Sequence, residues 1–420
     1  MTHRTLLVLG LLARWAEATH LRPSRIQQVW DVMNQISVYS WENGTRAEAL
    51  LEYNYPSLSP ISSSSPFPLP QNLNTDQFSQ VYDLAHMTMQ NRNSSTSTDS
   101  PFQGATLLPD GAAGDPASLG ISVLLANVST HNEQVNGIGY GDAAREELDY
   151  LLYDVPRTSS GAISHRADQA QLWSDSVYMV PPFLAYYGVL HNNQSLIQEA
   201  YTQCSLYRQA LKTDNNLWMH IVDGSGFLDY GCWATGNGWA AAGMLRVLAT
   251  IKYSQFSSAM QQQQSDLQSW IEEILTAASG YISKNGLLHN YINDTGTFED
   301  AASSALFAAT GYRLSTIGLT NAHVNMSSQL LSAVSSKVNS TGFVTQVVDP
   351  LSFGEQGKAS PEAQSFLIMA YAAFNDWNST GRAGSGDSDD DPLGNYGGAT
   401  TIDRPVELII ALAALLWAVL

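Results

Sequence analysis

A chain of 420 residues has room for one large domain or two ordinary ones, and 44% hydrophobic against 14% charged residues makes a substantial buried core the expectation. Its 38 acidic and 19 basic residues give a formal net charge of −19, with no cluster of Lys and Arg anywhere along the chain. That balance excludes nucleic acid as a partner, because phosphate binding needs grouped cations, and leaves solubility as the plain role of the acidity.

At the N-terminus, His3 and Arg4 precede an apolar stretch from Leu6 to Ala13, and Ala16-Glu17-Ala18 supplies a small-x-small cleavage site. This is the layout of a secretory signal peptide over residues 1–18. Eight Asn-x-Ser/Thr sequons (Asn43, Asn93, Asn127, Asn193, Asn293, Asn325, Asn339 and Asn378) agree with secretion and are expected at the surface of the fold. Cys204 and Cys232 can pair in an oxidising compartment, and their spacing leaves open whether they do. No Cys/His cluster has metal-ligand spacing, so no metal or other cofactor is expected.

Between residues 25 and 380 a layout recurs: a polar or Gly-containing turn runs straight into an Ala-rich apolar helix. It appears at Asp115-Pro-Ala-Ser-Leu-Gly, Trp173-Ser-Asp-Ser, Trp233-Ala-Thr-Gly-Asn-Gly-Trp, Phe298-Glu-Asp-Ala-Ala-Ser-Ser and Ser360-Pro-Glu-Ala-Gln. With Asp115, Asp175, Thr235, Glu299 and Pro361 as markers, the steps are 60, 60, 64 and 62 residues. A sixth entry, Trp41-Glu-Asn-Gly-Thr, lies upstream of the Ser/Pro-rich stretch from Ser57 to Pro70. Sixty residues hold two helices and two loops. After Trp239 the apolar positions Ala240, Met244, Val247, Leu248 and Ile251 share a helical face. More polar amphipathic segments alternate with the marked helices. One starts near Asp142 and is expected to bury Leu148, Leu151 and Leu152; another starts at a capping box formed by Ser195 and Gln198. Six such hairpins predict an all-α (α/α)6 toroid over residues 25–380. Its inner helices are parallel, and their N-termini open on one face suited to an anionic ligand.

Residues 381–405, rich in Gly, Ser, Asp and Pro, read as a flexible linker. The apolar tail 406–420 falls short of the roughly 20 residues that a spanning helix needs. It follows the small residues Gly394, Gly397, Gly398 and Ala399, the arrangement of a GPI-attachment signal, with a short membrane helix as the alternative. The expectation is therefore a monomeric, secreted protein held at the cell surface, in membrane or wall, through a lipid anchor.

Asp175 is the leading candidate for chemistry. Trp173, Tyr178 and Met179 flank it at the start of an inner helix, and apolar surroundings are expected to raise its pKa, as suits a general acid. Asp115 holds the equivalent place one hairpin earlier, and two carboxyl groups facing one cavity permit glycosidase-type acid/base work. Helix N-capping accounts for an Asp at either place just as simply.

The segments Gln171-Leu-Trp-Ser-Asp-Ser-Val-Tyr-Met-Val-Pro and Cys232-Trp-Ala-Thr-Gly-Asn-Gly-Trp-Ala are similar to the W-x-D-[ST]-x-[YF]-M and W-A-R-G-N-G-W stretches of glycoside hydrolase families 88 and 105. Leu217-Trp-Met-His-Ile-Val-Asp, Gly161-Ala-Ile-Ser-His and Ala359-Ser-Pro-Glu-Ala-Gln-Ser-Phe extend the resemblance, nearest to fungal members, over about residues 115–375. The resemblance implies an (α/α)6 barrel that releases a Δ4,5-unsaturated uronic acid from oligosaccharides by hydrating its vinyl ether. It also implies Asp175 as the acid/base and Asp115 as a supporting carboxylate. His165, His220, Trp233, Asn237 and Trp239 become substrate-binding residues. Thr235 occupies the place where the family usually has Arg, a residue suited to clamp the uronate carboxylate. Either Lys358 or Arg166 takes over that task, or the substrate is not an unsaturated uronide. Two other readings stay open: a different cell-wall glycosidase or transglycosidase on the same toroid, and a non-catalytic carbohydrate-binding surface protein.

Overall fold

The computed structural model describes residues 23–61, 66–92, 105–109, 111–131 and 133–380. The signal peptide, linker and apolar tail expected from the sequence, together with Asn93, lie outside these residues. The chain divides into two compact units, Met1–Gly384 and Ser385–Leu420, the second wholly outside the described residues. Among the described residues no helix is long and apolar enough to cross a membrane.

Twelve α-helices among the described residues form the toroid: α1 (Pro23–Ile36), α2 (Ser40–Asn54), α3 (Ser79–Asn91), α4 (Gly120–Thr130), α5 (Tyr140–Asp149), α6 (Ser176–Leu190), α7 (Gln194–Leu211), α8 (Ala234–Tyr253), α9 (Gln261–Ser279), α10 (Ala301–Thr316), α11 (Val324–Ser335) and α12 (Pro361–Ser379). The even-numbered helices make the inner ring. Each packs on the next, and α12 returns to α2 to close it. A 3₁₀ turn, Asp115–Leu119, precedes the short α4 and supplies much of the contact to α2 and α6. The odd-numbered helices lie outside, each against an inner neighbour.

Composition explains this sorting. Inner helices are buried on every side: in α8 every residue from Ala234 to Ile251 is inaccessible, and α6 is buried from Ser176 to Val189. Small residues let these helices approach one another. A Cβ at Gly243 would lie 2.1 Å from the carbonyl oxygen of Val177, so α6 and α8 touch backbone to backbone there. Outer helices bury one stripe each, as Leu267, Ile271, Ile274, Leu275 and Ala278 do on α9. Each fully buried Leu or Ile in such a stripe contributes about 1.5–3 kcal/mol.

The ring axis is filled. Helices on opposite sides of the ring touch directly: Tyr178 of α6 reaches Sδ of Met369 on α12 at 3.9 Å, and Arg246 of α8 pairs with Glu52 of α2 at 2.6 Å. Glu48 lies 3.5 Å from Arg246; Arg313 pairs with Glu52 at 3.2 Å and with Asp376; and the Tyr178 ring covers the Arg246 guanidinium at 4.5 Å. Burial pushes the Glu48 carboxyl up to about 7 despite the nearby Arg246.

Loops entering the inner helices are pinned by two-residue ladders. Strand β3 (Leu172–Trp173) pairs with β4 (Ile221–Val222), and β5 (Leu288–His289) with β6 (Glu299–Asp300). The longer β7 (Val347–Asp349) and β8 (Ser352–Gly357) form a hairpin ahead of α12, while β1 (Gln134–Val135) and β2 (Ile138–Gly139) lie at the opposite end of the ring, between α4 and α5.

Three local expectations need correction. The N-cap of α7 is Asn193, whose side chain accepts from the N–H groups of Ser195 and Leu196, so Ser195 lies inside the helix. Leu148 and Leu151 are buried as expected, but Leu152 is only half-buried. Asn43 is buried, and its amide donates to the carbonyls of Val38 and Tyr39, so this sequon is not a surface site. Cys204 and Cys232 are both buried and unbonded.

Candidate active site

The β3–β4 ladder, with Trp173 opposite Ile221, brings the start of α6 against the loop that leads toward α8. The Ser174 amide donates to the His220 carbonyl at 2.9 Å, which places Asp175 beside the His220 ring. Gly236 makes room for this junction, since a Cβ there would lie 2.3 Å from the Ser174 hydroxyl. Asp175 occupies the N-cap position of α6, yet its carboxylate caps nothing. It accepts from the Ser174 hydroxyl at 3.2 Å and faces Nε2 of His220 at 3.4 Å, out of line for a hydrogen bond with that ring. The capping explanation of Asp175 therefore fails.

His220 has a second acidic neighbour. Its Nδ1 lies 3.0 Å from Oδ2 of Asp229. The Asp229 carboxylate is itself held by the Gly231 amide at 2.9 Å and the Tyr291 hydroxyl at 2.6 Å. Backbone bonds in both directions between Ile221 and Asp229 close the intervening loop. The fully buried imidazole is thus set between two carboxylates, one at each ring nitrogen.

Burial alone lowers the pKa of His220, but Asp175 and Asp229 outweigh it and hold the imidazole above its ordinary value. Burial raises Asp175, but the contact and charge of His220, with a smaller contribution from His165, leave its carboxyl below the usual carboxylate range. The raised pKa expected for Asp175 is therefore corrected: its sequence neighbours are aromatic, but the groups facing its oxygens are imidazoles. Asp229 is also held below the usual range: burial opposes this, and hydrogen bonds from His220, Tyr291 and Gly231 prevail.

His165 occupies the adjacent wall. Its Nδ1 is 3.2 Å from the Ser176 hydroxyl and its Nε2 is 3.7 Å from Oδ1 of Asp115. Burial pushes this imidazole down to about 4, so it is neutral at pH 7, whereas His220 is shifted in the opposite direction. Trp173 stacks on His165 with centroids 4.7 Å apart and meets His220 edge-on at 5.5 Å. Asp115, Asp175, His165 and His220 are thus brought together by the structure, as is Trp233, whose ring lies 4.4 Å from His220.

The remaining residues of the Trp233–Trp239 motif are placed differently. Asn237 is buried and uses its amide on the backbone: it accepts from Trp218 N–H and donates to the carbonyls of Trp218 and Trp233. Trp239 packs inside the ring against Tyr178 and Phe366. Thr235 is buried and donates to Oδ2 of Asp300 at 3.3 Å. Asp300 also caps α10 and accepts from the Val348 amide.

Asp229, Tyr291 and Phe353 were not anticipated from the sequence. Phe353, on β8, stands edge-on to His220 at 4.6 Å and contacts Trp233 and the exposed Phe227. Buried Asn290 ties the wall together, accepting from Trp233 Nε1 and donating to the Phe353 carbonyl. Asp229 and Tyr291 lie in loops and Phe353 on a short hairpin strand, where no periodicity marks them; only the turn residues Gly224, Gly226 and Gly231 around Asp229 hint at a built loop.

A toroid whose inner-helix N-termini gather two carboxylates, two imidazoles and a tryptophan wall defines a carbohydrate-active class of protein. The family model for Glycosyl Hydrolase Family 88 matches residues 123–357, and the chain belongs to that family. An unsaturated rhamnogalacturonyl hydrolase of Bacillus subtilis is 24% identical over 179 residues, which cover 40% of this chain and 50% of the relative. The chain thus matches about half the length of that curated relative. A possible member of glycoside hydrolase family 105 from Klebsiella pneumoniae superposes with a TM-score of 0.63 at 15% identity, covering 84% of this chain and 92% of the other. A glycosyl hydrolase of family 88 from Bacteroides vulgatus gives 0.62 at 14% identity, covering 86% and 98%. These likenesses agree with the (α/α)6 toroid.

Proposed function

We propose that this chain releases a Δ4,5-unsaturated uronic acid from the end of an oligosaccharide, with Asp175 as the acid/base. The observation that carries this reading is the Asp175 carboxylate, free of any capping bond and aimed at His220 in the wall of the site. In the reaction a proton is added to C4 of the vinyl ether and water to C5, and the resulting hemiketal opens without further catalysis. Asp175 serves both transfers from one position, since an acid that has delivered a proton becomes the base that accepts one from water. Asp115, close to His165, acts as the supporting carboxylate, while Trp233 and Trp173 offer aromatic faces to the sugar.

With Thr235 turned to Asp300, the uronate carboxylate needs another cation. Arg166, directly after His165, is close enough for its charge to act on that ring, and Lys358 is exposed just past the end of the strand that carries Phe353. Arg166 is the better placed. The substitution at position 235 also favours a second reading, a glycosidase of the same fold acting on a different sugar. The deciding experiment follows ultraviolet enol-ether absorbance with oligosaccharides made by pectin lyase and by glycosaminoglycan lyase. Loss of absorbance supports the uronyl reading; constant absorbance with both sets turns the assignment to the second.

A further inference from the structure

Resting on the hydration reading above, we propose that Asp229 is a positioning residue: it holds His220 with Nε2 toward Asp175 and keeps on that ring the proton that Asp175 passes to the substrate. The geometry is specific. A carboxylate can only accept, so the 3.0 Å contact requires the proton on Nδ1 and leaves Nε2 as the nitrogen that faces Asp175. Asp229 cannot turn away, because Gly231 N–H fixes one oxygen and the Tyr291 hydroxyl the other. Four protein segments therefore meet at one imidazole: the start of α6, the loop ahead of α8, the loop ahead of α10 through Tyr291, and Phe353 of β8.

The charged and titratable groups around His220 are Asp175 and Asp229 in contact, Tyr291 through Asp229, and His165 with Arg166 on the neighbouring wall. A carboxylate at each nitrogen of the fully buried ring holds the imidazole above its ordinary pKa and Asp175 below the usual carboxylate range, which favours a proton on the ring over one on Asp175. Protonation of C4 then proceeds as a relay. A small rotation of the Asp175 carboxylate, 3.4 Å from Nε2, brings the pair into line; the Nε2–H bond of His220 then breaks as an O–H bond forms on Asp175, and that O–H breaks as the C4–H bond forms. Water adds to C5, its released proton returns to Asp175 and then to Nε2, and no oxidant or reductant is involved. The apparent pKa values of such a relay belong to the Asp175–His220 pair rather than to either residue. A merely structural Asp229 would pin its loop without affecting either nitrogen of His220.

The test uses the full chain with histidine labelled in both ring nitrogens, the His220 signals assigned by their loss in His220→Gln. Nitrogen NMR between pH 5 and 9 is compared for wild type, Asp229→Asn, Asp229→Glu and Tyr291→Phe. Turnover against pH is measured in parallel with an unsaturated uronyl disaccharide. We expect both His220 nitrogens protonated at pH 7 in wild type and one proton lost at that pH in Asp229→Asn. We expect kcat to fall at least about tenfold with KM within about twofold, the basic limb of the profile to move to lower pH, and Asp229→Glu to recover part of both. A neutral His220 in wild type, or an unchanged His220 titration in Asp229→Asn, overturns the proposal. If Asp229→Asn does not fold, Tyr291→Phe, which removes one hydrogen bond from the same carboxylate, is judged by the same shift or its absence. The NMR arm needs no substrate, so an inert uronide defeats the hydration reading alone.

Discussion

Asp175→Asn separates chemistry from architecture with unusual clarity here. The carboxylate makes no capping bond to α6, so the amide costs the helix nothing at its N-terminus. An Asn oxygen can still accept from the Ser174 hydroxyl and face His220 Nε2. The side chain retains 14% exposure and the contact with His220 is not an aligned hydrogen bond, so the cost is that of losing the charge beside the buried imidazole, about 1–3 kcal/mol, which leaves the fold intact. What the substitution removes is the transferable proton. General acid–base catalysis is worth about 10²–10⁴-fold, equivalent to about 2.7–5.4 kcal/mol of barrier, so kcat should fall by that factor while KM holds. The assay is the decay of enol-ether absorbance on an unsaturated disaccharide, paired with urea unfolding of both proteins. Turnover within threefold of wild type on an authentic substrate refutes the assignment. A loss of turnover matched by an equal loss of folded protein refutes the claim that the residue is structurally dispensable.

Thr235→Arg restores the family's usual cation. Asp300 keeps its three amide donors without Thr235, and an added Arg–carboxylate contact of about 1.5 kcal/mol should lower KM for unsaturated uronides by roughly tenfold; an unchanged KM in binding-limited assays argues against an anionic sugar at this position. Phe353→Ala uncovers one edge of His220 and should raise KM for substrate with folding unchanged, as checked by kinetics and circular dichroism. Buried Glu48 binds its proton more tightly in the fold, at about 7 against 4.5, so its contribution to stability is present below pH 4.5 and is lost as pH rises through 7. Relative to wild type, Glu48→Gln should therefore gain about 3 kcal/mol between pH 4.5 and 8, read from urea unfolding at both values; a pH-independent difference contradicts this.

Much of the fold is legible because its repeat is written in turn chemistry. The inner helices begin at Ser40, Gly120, Ser176, Ala234, Ala301 and Pro361, within five residues of the markers taken from the sequence. The marker at Asp115 is the most displaced, because a 3₁₀ turn intervenes before α4. The site was less legible, and for a physical reason. Asp175 and His220 carry motif neighbours, but Asp229 acts on His220 only because a two-residue ladder and a closed loop bring it there, and ladders of that length leave no alternating pattern. The pKa direction at Asp175 failed likewise: Tyr178, close in sequence, points into the ring toward Arg246, while the decisive imidazole arrives from another hairpin. Trp233 and Trp239 read alike as letters, yet one lines the site and the other fills the core beneath.

The contacts across the ring axis have a consequence for how polymers are handled. Because Arg246 meets Glu52 and Tyr178 meets Met369 between opposite helices, the toroid is a cup with a floor rather than a sleeve. A polysaccharide cannot be threaded through it from one face of the ring to the other. Whatever approaches Asp175 from the face of the inner-helix N-termini must leave by that same face.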